Sequence, residues 1–297
     1  MKNKMNYKYF ITSLSLIFLM SCGKKKEQPL VVDKIKMKPP RLEFLWQTDS
    51  LLTTCEAVLF DKTSKVIYVT NINNNPWEKD NNGFISTINT KGEITNLKWI
   101  EGLSAPKGMG VSNGKLYVND VDDLVEIDIE KREILNTYHV GGSPQLNDIT
   151  ISADGVVYSS GSNSNSIYKL ENGALQIVAK DAFQRLNGLL WQKEAMYYLD
   201  SGKHHFGALD LEHKTFKTLT TDIGHGDGIV RLENGDFITS SWKGEIYYIE
   251  AKDWSKTKLL DTKEQSINAA DIDFIPETQM LLVPTFFNNR VVCYQLK

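Results

Sequence analysis

The sequence predicts an all-β protein, a six-bladed β-propeller over residues 41–297 whose last blade is completed by an N-terminal strand. Three observations lead there. A phrase of roughly forty residues recurs six times. Each copy shows the period-2 alternation of half-buried strands around a tight turn. No stretch offers a long amphipathic helix.

Composition sets the outer limits. The chain has 297 residues, 41% hydrophobic and 24% charged, with three cysteines. That excludes a disordered chain, a collagen-like repeat and a disulfide-stapled miniprotein. The formal charge of −3 averages two unlike pieces. Residues 1–40 carry nine lysines against Glu27 and Asp33, so residues 41–297 carry −10. A body that acidic repels phosphate backbones, so no nucleic-acid partner is expected.

In chain order, the first element is a targeting segment. Lys2, Lys4 and Lys8 precede an eleven-residue apolar stretch, Phe10–Met20. A spanning helix needs about 20 apolar residues, so this stretch reads as a secretory signal instead. It ends in Leu19-Met20-Ser21-Cys22, which resembles the bacterial lipobox. Residues 1–21 are therefore expected to be a lipoprotein signal peptide, and Cys22 the lipidated residue. Gly23 is not the acidic residue that marks inner-membrane retention. The expected location is the bacterial cell envelope, lipid-anchored, at the outer membrane in preference to the inner. Residues 22–40 are lysine-rich, lack periodicity and close on a proline pair, as befits a tether.

The repeats begin at residue 41. RLEFLWQT (41–48) is a strand without a hairpin partner nearby. The six copies that follow start at the anchors Glu56, Lys107, Asn147, Asn187, Asp227 and Asp271, spaced 51, 40, 40, 40 and 44 residues apart. Asn113-Gly114, Asp154-Gly155 and Asn234-Gly235 mark their tight turns. A third strand follows every hairpin and a fourth follows in five copies. The last copy ends without one, a vacancy that 41–48 can fill. Cys55 and Cys293 lie in apolar strand runs, either as buried free thiols or as a pair.

The anchors open the innermost strands, so they converge on one mouth of the central channel. Glu56, Asn147, Asn187 and Asp227 supply two carboxylates and two amide carbonyls there, a hard all-oxygen set. Such a set suits a divalent cation, with Ca²⁺ expected first and Mg²⁺ or Zn²⁺ as alternatives. The competing account is that Asn and Asp at loop-to-strand junctions satisfy nearby backbone groups. Around this mouth stand Trp77, His205, Trp242 and Phe286, expected to contact substrate. Lys107 reads as a rim residue able to touch an anion, and His225 as a proton shuttle or simply a loop histidine.

Four stretches together resemble the senescence-marker-protein/gluconolactonase family of six-bladed propellers, which includes regucalcin. They are Cys55-Glu56-Ala57-Val58, Leu146-Asn147-Asp148-Ile149, Leu186-Asn187-Gly188-Leu189 and Gly226-Asp227-Gly228-Ile229. The resemblance spans nearly all of residues 41–297. It implies Glu56, Asn187 and Asp227 as metal ligands, Asn147 as ligand or substrate contact, and Asp227 as base or nucleophile. Where family lactonases carry Arg two residues before the channel Asn, this chain has Gln145 as the substrate-facing residue. The expected function is a monomeric, metal-dependent hydrolase of a small-molecule lactone or ester. A non-catalytic propeller binding a ligand or protein through the same face stands as the alternative.

Overall fold

Each repeat forms one four-stranded antiparallel sheet, and the six sheets are arranged as the blades of a propeller. The computed structural model describes residues 39–297. The predicted lipidation site Cys22 and the signal peptide lie outside the described residues. The innermost strands are Cys55–Phe60, Pro106–Ser112, Leu146–Ile151, Leu186–Gln192, Gly226–Arg231 and Asp273–Ile275. Burial falls from the axis outward: Gly226–Arg231 is almost wholly buried, while the outer strand Glu133–His139 is almost wholly exposed. In the last blade the outer position is held by Leu42–Gln47, antiparallel to Val291–Leu296.

Apolar side chains of adjacent blades interdigitate. Ala57, Tyr68 and Ile85 of the first hairpin unit pack with Met109, Leu116 and Val118 of the second. Val58 and Val69 pack with Leu282 and Cys293, which join the first and last blades. Cys55 and Cys293 are both buried and free. Burial pushes each thiol up to about 12, so both stay protonated.

Asn113 and Gly114 both take positive φ, at 51° and 75°, as a two-residue primed turn requires. In the last blade a single 3₁₀ turn, Pro276–Thr278, does the same job.

One local irregularity positions the site. In five inner strands the register slips by one residue at the anchor: Leu146 pairs with Gly161, but Ile149 pairs with Ser159. The same slip lies between Cys55 and Val58, Pro106 and Met109, Leu186 and Leu189, and Gly226 and Ile229. A bulge of this kind places an extra residue on the inner strand and re-aims its side chain. The amide freed from the ladder is satisfied locally. Ala57 N donates to Thr70 Oγ1 (2.9 Å), Asp148 N to Ser160 Oγ (2.9 Å) and Gly228 N to Ser240 Oγ (2.8 Å).

Glycine after an anchor serves the packing between blades. A Cβ on Gly108 would stand 2.6 Å from the Asp148 Cα and 2.7 Å from the Asn147 carbonyl oxygen. One on Gly228 would stand 2.6 Å from Asp271 Oδ1, and one on Gly188 would collide with the Asp227 carbonyl oxygen. Inner strands of neighbouring blades thus touch backbone to backbone at the layer of the anchors.

Candidate metal and active site

Five of the six anchors open into a cavity of about 310 Å³ at one mouth of the channel, and the sixth, Asp271, does not line it. Glu56, Lys107, Asn147, Asn187 and Asp227 line it, as do Trp77, His225, Trp242 and Phe286. These nine were all singled out in the sequence. Glu56 is 4% exposed and Asp227 2%, so two carboxyl groups sit nearly dry within one small volume. Burial, more than any other cause, raises both pKa values. Glu56 reaches about 7, with Lys107 pulling it back down. Asp227 rises well above the carboxylate range, helped by the charges of Glu56 and Asp148.

The hydrogen bonds leave specific oxygens without a donor. Asn187 Nδ2 donates to Asp227 Oδ1 at 2.8 Å, which orients the amide and leaves Asn187 Oδ1 buried and unpartnered. Glu56 Oε2 is likewise buried without a partner. Asn147 Nδ2 donates to Ser162 Oγ (3.1 Å), whose hydroxyl donates in turn to the Leu186 carbonyl (2.6 Å). Buried oxygens without donors are unfavourable unless a cation or water meets them. The two carboxylates and two amides therefore fit a hard divalent ion. Among the described residues no group of three or more His, Cys, Asp or Glu is gathered for a metal, so the fit depends on the two asparagines.

Lys107 corrects the sequence reading. It is no solvated rim residue but is 1% exposed, with Nζ seated 4.2 Å over the Trp77 ring. Desolvation lowers its pKa, while Glu56, Asp120 and Asp227 oppose that shift. Its ammonium offsets part of the negative charge of the floor.

His205 and Gln145 do not line the cavity. His205 opens a third strand, pairs with Asp200 and Thr221, and turns its ring against Tyr198 at 5.7 Å. The strand's alternation directs it onto the blade. Its neighbour His204, at φ 55°, faces the mouth instead: its ring lies 5.0 Å from His225 and its Nδ1 is 2.8 Å from the Gly224 oxygen. Gln145 takes a positive φ of 53°, and its backbone is tied to Asp122 and Ser162.

Three lining residues had escaped the sequence reading: Pro76, Ser201 and Arg185. Arg185 stands to Asn187 as Gln145 stands to Asn147, two residues before the anchor, so the repeat register held the signal. Behind the cavity Asp148 accepts from Leu189 N and Ile149 N, both at 2.6 Å, and lies against the carboxyl of Asp271. Burial raises both pKa values, Asp148 to about 8.

Fold and cavity together define a six-bladed propeller with an oxygen-rich, dry-floored pocket at one channel mouth. No protein-family model matches the sequence, and no curated protein does. Solved structures match the fold. A gluconolactonase from Xanthomonas campestris aligns with TM-score 0.69 at 14% identity, covering 88% of this chain and 96% of that one. A luciferin-regenerating enzyme aligns with TM-score 0.62 at 17% identity, over 86% and 95% of the two chains. A catalytically inactive virginiamycin B lyase from Staphylococcus aureus, solved with quinupristin, gives TM-score 0.62 at 13% identity, over 87% and 100%. The chain thus shares the propeller fold of these proteins, and at these identities the likeness is one of fold.

Proposed function

We propose that the cavity is the active site of a divalent-metal-dependent hydrolase acting on a small lactone or ester. The observation that carries this reading is the pair of buried oxygens without a donor, Glu56 Oε2 and Asn187 Oδ1, beside Asp227 in one cavity. That gluconolactonase and lyase chemistry occurs on the same fold supports it. Glu56, Asn187 and Asp227 would hold the cation, with Asn147 as further donor or substrate contact, and the ion would supply polarisation of the substrate carbonyl.

The chain's own groups supply the rest. Asn187 fixes one Asp227 oxygen, so the other is free to accept a proton from water. The dry site makes that carboxylate a stronger base than a solvated one. Desolvation lowers the His225 pKa, as do the charges of Lys243, His204 and Arg185. Its imidazole is thus neutral at pH 7 and can take up the proton that Asp227 accepted from water and pass it to the leaving oxygen. The apolar walls of Trp77, Trp242 and Phe286 exclude water from the remainder of the pocket.

The test is Asp227→Asn, which keeps an oxygen donor but removes a charge and a base. Calcium affinity should fall modestly by calorimetry. Hydrolysis in a screen of lactones and aryl esters with Ca²⁺ should fall by about two to four orders of magnitude. Hydrolysis at the wild-type rate removes Asp227 from the chemistry. Absence of hydrolysis above background in both forms leaves a binding propeller.

The proposal also places this monomer in the bacterial envelope, lipid-anchored through Cys22 at the outer membrane. The basic, apolar and lipobox parts of residues 1–22 support that reading.

A further inference from the structure

The mouth of the cavity carries a charge that the proposed hydrolysis leaves unused. Arg185 lines the cavity, is exposed, and has no ion-pair partner among the described residues. Its backbone is held firmly. Gln184 N and Arg185 N donate to the two oxygens of Asp200 (3.0 and 3.1 Å), and Ser201 N donates to the Arg185 carbonyl (2.9 Å).

The rest of the molecule opposes anions. Residues 41–297 carry −10, and Glu56 and Asp227 occupy the cavity floor. Lys107, the other lysine or arginine lining the cavity, is buried over Trp77 and faces Glu56 and Asp227, so Arg185 is the exposed lining cation that an entering anion meets. Beside the same mouth lies an aromatic wall. The Trp242 ring is 5.3 Å from Phe286 and 6.0 Å from Phe287, and the two phenylalanines are 4.7 Å apart, all nearly edge-to-face. Phe287 is 59% exposed, so one side of this aromatic cluster is open to solvent.

We propose that Arg185 is the anion-binding, specificity-determining residue of this cavity, and that the ligand class is a small carboxylate bearing an aryl or similarly flat apolar group. The carboxylate meets the planar fork of Arg185, which suits bidentate pairing. The flat group lies on Trp242 and the Phe286–Phe287 pair. The carbonyl end then points toward Asn187 and Asp227. Resting on the proposed hydrolase reading, this makes the substrate a carboxylate-bearing ester or lactone.

The experiment measures binding, not turnover. The protein is titrated calorimetrically, in the presence of a chelator, with phenylacetate and with its neutral isostere phenylacetamide. The chelator ensures that a carboxylate held by a divalent ion is not counted. Wild type should prefer phenylacetate by about tenfold or more, the scale of a charge-assisted hydrogen bond. Arg185→Gln should lose that preference while keeping its thermal midpoint, since the side chain is exposed. Arg185→Lys should retain part of it, and Phe287→Ala should weaken both ligands alike. Equal binding of the two ligands by wild type, binding of neither, or an unchanged preference in Arg185→Gln would each overturn the assignment. Because no hydrolysis is read, Arg185-dependent binding in a protein without esterase activity would sink the hydrolase reading and leave this one standing.

Discussion

A carboxyl group taken out of water raises its own pKa and thereby ties stability to pH, and Asp273 is the clearest instance outside the cavity. Burial lifts it from the usual range to about 6, although Phe60 N and Phe274 N each donate to it at 2.7 Å. The folded pKa lies above the unfolded one, so the neutral form is favoured on folding. Its contribution is fully present below about pH 4 and is lost as pH rises to about 6. The loss is at most about 3 kcal/mol, and less because part of the residue still reaches solvent. Asp273→Asn should therefore flatten that portion of the curve. The check is the thermal midpoint of both proteins between pH 4 and 7: wild type should decline relative to the variant across that window. A constant difference would show that Asp273 does not ionise there.

At the scale of the strand, the bulge and the glycine that follows the anchor act as one device. The bulge gives the inner strand an extra residue, a hydroxyl on the second strand takes the freed amide, and glycine lets the next blade approach. The small residue after Asp227 thus has a packing role, since Gly228 faces Asp271 and Ile272. Gly188→Ala forces a methyl group into the backbone of the next inner strand, which cannot yield as a flexible side chain would. It should cost about 3 kcal/mol or more in chemical denaturation. Gly141→Ala, where an added Cβ meets nothing within 4 Å, is the control and should leave the midpoint almost unchanged. Equal midpoints for the two variants would refute the packing role.

For the whole molecule, charge and architecture divide the labour. A basic stretch, residues 1–40, precedes an acidic propeller, and the propeller presents its cavity at one channel mouth. If Cys22 carries the lipid, Cys22→Ala should abolish fatty-acid labelling and shift the protein out of the membrane fraction. Unchanged labelling and fractionation would overturn the anchoring proposal. Leu42–Gln47 contributes the outer strand of the sheet that holds the C-terminal strand, so the ring's two ends share one set of backbone hydrogen bonds. Such sharing joins the first and last repeats into one cooperative unit.

The six-fold repeat was legible because period-2 alternation and the turn dipeptides are local properties, set by the backbone geometry of each hairpin. Anchor spacing carried the site a step further: side chains at equivalent repeat positions must arrive at equivalent places, and Glu56, Asn147, Asn187 and Asp227 did so. Lys107 arrived there too, but its burial was not legible, because burial depends on Trp77 from a loop of another blade. His205, expected at the mouth, turned onto the blade for a similar reason, since the positive φ of His204 decides which of the two rings faces the mouth. Arg185 had the right register, yet its lack of an ion-pair partner among the described residues is a fact about every other blade. Sequence determined the elements and their order, because those follow from forces acting along the chain. Tertiary structure alone decided which charges are dry, which are paired and which are left for a ligand, because those follow from what the remaining blades place around them.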